Sequence, residues 1–436
     1  MLNKVLNNKI ISGMFFVTLG SIISTFLSYY FNFYVQSLFP DLSDYSNYVF
    51  IVTFLSISIL APSAVGSSLS LLVTELNVKN ETKKLTKFYL NMNLVFGVIG
   101  LLFLAICLIL NKEISSVFKI DNPFYVQLLG LLLFLSALSI PLVSFLQGLL
   151  RFKSLSSLII FLAFIKIVIV YILFHLDFGF LSVPYGLLIG ACLQLLVGNL
   201  LLISSFDSDF SSADVKGFTK KVLLISLPLF FITTGTGLLT QVDFLVIKSK
   251  FLPEVSGEYA LLINIGKIFF FGSYIFLGAM GPQVTEAFNK KDGYFKILFF
   301  YSKIIGVIIS LGISVFVFFP KQFLDLFIFL SGFIGLNSKS LALYYGVTDL
   351  IPAYSIFISL AIVINLLVIF LIATTTTRIY LAFIFSLLLQ FILINFLATD
   401  LYSCIFYNII AASSLLIYLC YETYKKYESI HNSSSI

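Results

Sequence analysis

Twelve apolar runs, each at least about twenty residues long and set apart by short polar clusters, leave this chain few ways to fold. They fall near 10–38, 45–75, 88–110, 124–150, 155–175, 184–205, 222–247, 257–286, 297–319, 345–372, 379–399 and 401–421. At a rise of about 1.5 Å per residue, roughly 20 apolar residues cross the hydrocarbon core of a bilayer. The chain is 60% hydrophobic and 11% charged, where a soluble domain carries roughly 25% charged residues. In water this apolar excess has nowhere to go; in lipid it is the outward-facing surface, and helices satisfy their own backbone groups there. The pattern predicts an all-α polytopic membrane protein. Within 436 residues it leaves no room for a separate soluble catalytic domain.

The breaks are polar clusters such as NVKNETKKLTK (77–87), DSDFSSADVKGFTKK (207–221) and NKKDGYFK (289–296). The middle one divides the chain into an N-terminal six-helix bundle (1–206), a cytoplasmic linker (207–221), a C-terminal six-helix bundle (222–421) and a polar tail (422–436). The first run has lysines before it and no small-residue cleavage site after it, so it reads as a retained helix. The net charge of +6 matters through its placement and does not point to nucleic acid. With the N-terminus inside, 17 of the 26 Lys and Arg residues lie in cytoplasmic segments. Six lie outside (Lys112, Lys119, Lys248, Lys250, Lys321, Lys339) and three fall within spans (Lys166, Lys267, Lys303). That bias predicts both termini in the cytoplasm and an even number of spans. The four cysteines have no metal-like spacing and read as small buried hydrophobes. Part of the outer segment after Pro320, KQFLDLFIFL, reads as a helix lying at the membrane interface.

An internal repeat is visible. LFPDLSDYSNYVF (38–50) precedes the second span and FLPEVSGEYALLI (251–263) the eighth, with Pro40, Asp41 and Ser43 matching Pro253, Glu254 and Ser256. At the far ends, Val73-Thr74-Glu75 matches Val284-Thr285-Glu286, and lysines follow each. Six spans separate the copies, so both halves enter the membrane in the same direction, with a central cavity expected between the bundles.

With LLTQVDFLVIKSKF (238–251), Ser-Gly-Glu-Tyr-Ala (256–260) and GAMGPQVTEAF (278–288) before a basic loop, the chain resembles the oligosaccharide-lipid flippases of the multidrug/oligosaccharidyl-lipid/polysaccharide exporter superfamily. The resemblance implies an O-antigen-type flippase in the bacterial inner membrane. Such a protein moves undecaprenyl-diphosphate-linked repeat units to the periplasmic leaflet by alternating access, alongside membrane lipids and polysaccharide polymerase or assembly proteins. It implies no cofactor beyond a coupling H+ or Na+ gradient, and no enzymatic step.

Such a cargo calls for cations inside the membrane to offset phosphate charge. Lys166, roughly 16 Å into span five, and Lys267 in span eight are too deep to snorkel fully. A lysine at helix centre costs about 2.5–3.5 kcal/mol on insertion scales. Both are therefore expected to face the cavity and meet the diphosphate or an acidic sugar; a structural pairing inside the bundle is the alternative. Lys303 sits nearer a span end, where snorkelling to the cytoplasmic face competes. Arg151 stands at the cytoplasmic mouth. Asp243, inside span seven, is a candidate for the coupling ion or for pairing with Lys267. Glu75 and Glu286 are candidate gate charges or solvated helix ends, and His175 a proton relay or a structural interface residue. Prolines inside spans (Pro62, Pro141, Pro228, Pro352) are candidate hinges.

Two other readings compete. A cation-coupled drug or small-molecule antiporter of the same superfamily is expected to use buried acids. A polytopic polysaccharide polymerase needs a sizeable outer loop, which this chain lacks. No GxxxxGK[ST] motif is present, so ATP is not expected to drive transport.

Overall fold

The structure is a computed structural model that describes residues 2–39, 41–207, 217, 222, 234–290, 293–333, 336–375 and 379–433. Pro40, Pro228, Arg378, Lys216, Lys220, Lys221, Lys291 and nearly all of the expected linker 207–221 lie outside the described residues. Every regular element among the described residues is helical. Nine helices among them are long and apolar enough to cross a membrane. They coincide with nine of the twelve expected spans. The other three, 45–75, 222–247 and 257–286, each include positions whose placement or side chains lie outside the described set. The protein is a multi-pass membrane protein.

The helices group into two compact units, Met1–Asn32 with Ile51–Thr234, and Phe33–Phe50 with Gly235–Ile436. This grouping departs from a division at 207–221. The corner between the first two helices belongs with the second unit, because its polar side chains bond to residues there, as described below.

The first unit contains most of α1 (Leu2–Leu38) and α2 (Leu42–Val78), then α3 (Thr82–Ile109), α4 (Asn111–Val117), α5 (Phe124–Gly148), α6 (Phe152–His175) and α7 (Ser182–Leu202). Asp41 starts α2: its carboxylate accepts the Ser43 N–H at 2.8 Å, satisfying a donor that the first helical turn leaves free. The core joins Leu69, Leu72 and Val73 of α2, Phe88 and Tyr89 of α3 and Phe145 of α5. Lipid is as apolar as leucine, so close backbone approach rather than water exclusion holds such helices together. At Gly148 a Cβ would meet the Ser70 carbonyl oxygen at 2.6 Å and the Val73 Cβ at 2.6 Å. With no side chain there, α2 and α5 touch, and the Thr74 hydroxyl donates to the Gly148 carbonyl at 2.9 Å.

The second unit contains α8 (Val242–Lys250), α9 (Pro253–Asn289), α10 (Tyr294–Phe318), α11 (Pro320–Phe333), α12 (Ser338–Leu341), α13 (Ile351–Ala373), α14 (Tyr380–Ile392) and α15 (Leu401–Ser433). The repeat seen in the sequence is a structural one. α2 and α9 are each 37 residues long; their first residues (253 − 42) and last residues (289 − 78) are both 211 apart. The expected interfacial segment KQFLDLFIFL, 321–330, lies within α11, with Leu324 buried and Leu326, Phe329 and Leu330 exposed.

One expectation is corrected, that for the cysteines. Pro352 lies inside its span, Ala342–Ala373, in the first turn of α13 after a 3-10 stretch at Ala342–Leu350. A missing N–H is harmless there. Pro141 does lie within α5, which continues through it. Only two of the four cysteines, Cys107 and Cys404, are buried; Cys192 and Cys420 are exposed, as an apolar side chain is free to be where the solvent is lipid.

Candidate functional site

An acidic side chain in an apolar span must find hydrogen bonds or a counter-charge. Asp243, in the first turn of α8, is fully buried. One carboxylate oxygen accepts the Phe244 N–H at 2.8 Å. The other accepts the Tyr259 hydroxyl at 2.5 Å and the Asn408 amide at 3.3 Å. Tyr259 comes from α9, two turns after the proline that opens it, and its ring stands edge-on to Tyr354 at 5.7 Å. Asn408 comes from α15 and also donates to the Tyr259 oxygen at 2.9 Å. Its own carbonyl accepts Gln390 of α14 at 2.7 Å, and Gln390 donates in addition to the Leu239 carbonyl at 3.1 Å. The Gln390 side-chain oxygen is buried without a hydrogen bond. Asp243 is in no salt bridge among the described residues; the expected alternative, a pair with Lys267, is not formed.

Three helices thus bond at one carboxylate, which accepts from neutral N–H and O–H donors, with Gln390 of a fourth helix held behind Asn408. Such a set can hold a proton on the acid, or, with the Asn408 amide turned over, a small hard cation between its oxygen and the carboxylate. Asn408 and Gln390 are absent from the residues the sequence singled out, and Tyr259 appears there only within Ser-Gly-Glu-Tyr-Ala (256–260), with no role at the site. The signal was there: lone amides inside LLLQFIL and IFYNII, groups too costly to bury in lipid unless bonded to something.

The lysines within spans have different surroundings. Lys166 of α6 is half-buried; its ammonium donates to Ser28 at 3.2 Å and lies 4.6 Å from the centre of the Phe31 ring, both on α1. That is a cation–π contact with one weak hydrogen bond, which leaves donors on the ammonium for a ligand. Lys267 of α9 is half-buried and has no hydrogen bond or ion pair among the described residues. Lys303, on the third turn of α10, is exposed. Arg151 is committed: it donates to the Leu201 carbonyl at 2.6 Å and to Ser204 at 3.1 Å, tying the start of α6 to the end of α7. His175 ends α6, exposed, bonded to the Tyr171 carbonyl at 2.8 Å, with its ring tilted against the Tyr171 ring at 4.2 Å. Glu75 and Glu286 each form an exposed i,i+4 pair, with Lys79 at 2.8 Å and Lys290 at 2.5 Å. The repeat extends to this detail, since 79 and 290 also differ by 211.

Two lysines that the sequence counted only as outer charges are structural. Lys248 is fully buried and donates to Ser46 at 2.6 Å and Asn47 at 2.9 Å. Lys250 donates to the carbonyls of Ile394, Asn395 and Ala398 at 2.9, 2.8 and 2.6 Å. It gathers oxygens freed by the π-helical turn Leu393–Leu397, where a cation also suits the negative end of the helix.

No family model matches the chain, and no curated protein matches it in sequence. Solved structures do match along nearly its whole length. An inward-facing multidrug resistance MATE family transporter of the MOP superfamily is 12% identical, with a TM-score of 0.69 over 92% of this chain and 94% of that one. A MOP superfamily transporter from Pyrococcus furiosus, reported to have a binding pocket of reversed polarity that suggests a different function, is 14% identical, with a TM-score of 0.62 over 95% of each chain. An outward-facing MATE family transporter is 12% identical, with a TM-score of 0.59 over 97% and 96%. The fold is therefore the one these transporters share.

Proposed function

We propose that this chain is a secondary transporter in the bacterial inner membrane, with both termini cytoplasmic, that couples the entry of a proton or sodium ion at Asp243 to the export of an anionic cargo. The observation that carries the reading is the fully buried Asp243 carboxylate, bonded to Tyr259 and Asn408 and in no salt bridge among the described residues. A buried carboxylate with only neutral donors from three helices, and no fixed cation among the described residues, is suited to take up an exchangeable one. Cargo polarity follows from Lys166 and Lys267, which carry positive charge at depth where a cationic drug is repelled. The names of the structural neighbours favour a small-molecule antiporter.

The lysines favour a second reading, the flipping of an undecaprenyl-diphosphate-linked oligosaccharide for O-antigen or a related polysaccharide, handed on to a polymerase. In that reading Lys166 and Lys267 take the diphosphate. Neither reading includes a covalent step. Purified protein in sealed vesicles, supplied separately with a labelled anionic dye and a labelled lipid-linked oligosaccharide, separates them. Gradient-driven movement of the dye supports the antiporter, movement of the lipid supports the flippase, and movement of neither overturns both.

A further inference from the structure

α11 carries two apolar faces with a charged edge between them. Leu324, fully buried, and Phe327, whose ring centre lies 5.7 Å from that of Tyr344, pack inward, while Leu326, Phe329 and Leu330 are exposed. A helix that follows the end of a span and leaves such a face uncovered lies against lipid. Lys321 and Asp325 stand one helical turn apart on the edge, both exposed. That spacing brings opposite charges within reach of each other, yet no ion pair joins them. The Asp325 carboxylate instead accepts the hydroxyl of Tyr345, from the 3-10 stretch Ala342–Leu350. Lys321 has no hydrogen bond or ion pair among the described residues, and with Tyr345 and Thr348 it lines an open cleft of about 460 Å³.

A cation and an acid that a tyrosine holds apart, beside a lipid-facing apolar surface, suit a lipid that brings both charges with it. Tyr345 occupies the Asp325 Oδ1, which leaves Oδ2 to accept from a ligand. We propose that the cleft takes the headgroup of a zwitterionic phospholipid whose cation is a primary ammonium. The phosphate meets Lys321, the ammonium donates to the second Asp325 oxygen, and the acyl chains run along Leu326, Phe329 and Leu330. A purely anionic headgroup gains Lys321 but brings nothing for Asp325, which repels it. A quaternary ammonium has no N–H to give to the carboxylate. This goes beyond the transport reading and does not depend on it.

Lipid titration of the delipidated full chain in detergent, read by native mass spectrometry as the first bound equivalent, tests it without any cargo. Phosphatidylethanolamine, phosphatidylglycerol and phosphatidylcholine with the same acyl chains are the probes. Phosphatidylethanolamine is expected to bind at least ~5-fold tighter than either of the others, the factor that one charge pairing at a membrane surface supplies. Asp325→Asn keeps an oxygen for the Tyr345 hydroxyl and removes the charge; it is expected to abolish the advantage over phosphatidylglycerol. Lys321→Met is expected to weaken phosphatidylethanolamine and phosphatidylglycerol alike, by ~5-fold. Both side chains are exposed, so neither substitution opens the core. Tyr345→Phe frees the carboxylate to pair with Lys321 and should weaken phosphatidylethanolamine as well. Phosphatidylglycerol or phosphatidylcholine binding as tightly as phosphatidylethanolamine to the parent overturns the proposal. So does phosphatidylethanolamine binding that either Asp325→Asn or Lys321→Met leaves unchanged.

Discussion

Tyr259 donates a 2.5 Å hydrogen bond to Asp243, and both side chains are fully buried. The tyrosine is thus a positioning group: it orients the carboxylate and supplies part of what water would. Tyr259→Phe removes this donor and keeps the ring. A buried hydrogen bond to a charged group contributes roughly 1.5–3 kcal/mol, so thermal unfolding in detergent should show a loss of that order. Asp243→Asn keeps the shape of the site, exchanges one acceptor oxygen for an amide donor that can give to the Tyr259 oxygen while the remaining oxygen accepts the Phe244 N–H, and removes the exchangeable charge; it is expected to fold, and to lose dependence of transport on a proton or sodium gradient.

The intramembrane lysines should separate by stability. Lys267 has no hydrogen bond or ion pair among the described residues, and a lysine at mid-depth costs about 2.5–3.5 kcal/mol on insertion scales. Lys267→Met is therefore expected to unfold at the same or a higher temperature than the parent while transport of an anionic cargo falls. Lys250→Met strands three carbonyls that its ammonium now binds and should destabilise by about 1–3 kcal/mol. A stabilising Lys250→Met would contradict the role given to it.

Much of the fold was legible because bilayer thickness imposes one length on every span and the repeat keeps its punctuation. Thr74 and Thr285 both turn their hydroxyls back to the carbonyl four residues earlier, Ser70 and Gly281. Glu75–Lys79 recurs as Glu286–Lys290. The site was legible only at Asp243, whose charge stands out in an apolar run. Tyr259, Asn408 and Gln390 reach it from three other helices, and no spacing along the chain encodes that meeting. Lys248 was misjudged for a related reason: hydropathy places it near a helix end, but only the docked corner shows that its ammonium is enclosed.

Helix crossing at Gly148 has a direct test. Gly148→Ala pushes a methyl group into the Ser70 carbonyl and the Val73 side chain, both closer than 3 Å to the new atom. Overpacking of this kind costs about 1–3 kcal/mol, and unfolding followed by temperature should register it. An unchanged midpoint would mean that α2 and α5 do not approach so closely.

At the start of α15, Asp400 and Ser403 bond reciprocally: the carboxylate accepts the Ser403 N–H at 2.8 Å and the Ser403 hydroxyl oxygen accepts the Asp400 N–H at 3.0 Å. The Ser403 N–H, with its hydroxyl second, holds the Asp400 carboxyl below the usual carboxylate range. A depressed folded value means that the cap's contribution is fully present above the unfolded value of about 3.9 and is lost as pH falls through the folded value. Asp400→Ala should lower stability near neutrality by about 0.5–1 kcal/mol, as loss of a helix cap does. The gap between parent and variant should then close as acid is added below that range.

The most direct test of the account is cargo accumulation in sealed vesicles under an imposed proton or sodium gradient, compared between the parent protein and Asp243→Asn. The account predicts that the parent accumulates an anionic cargo only while the gradient lasts, and that the variant, folded, does not accumulate it. Equal, gradient-driven accumulation by Asp243→Asn would contradict it.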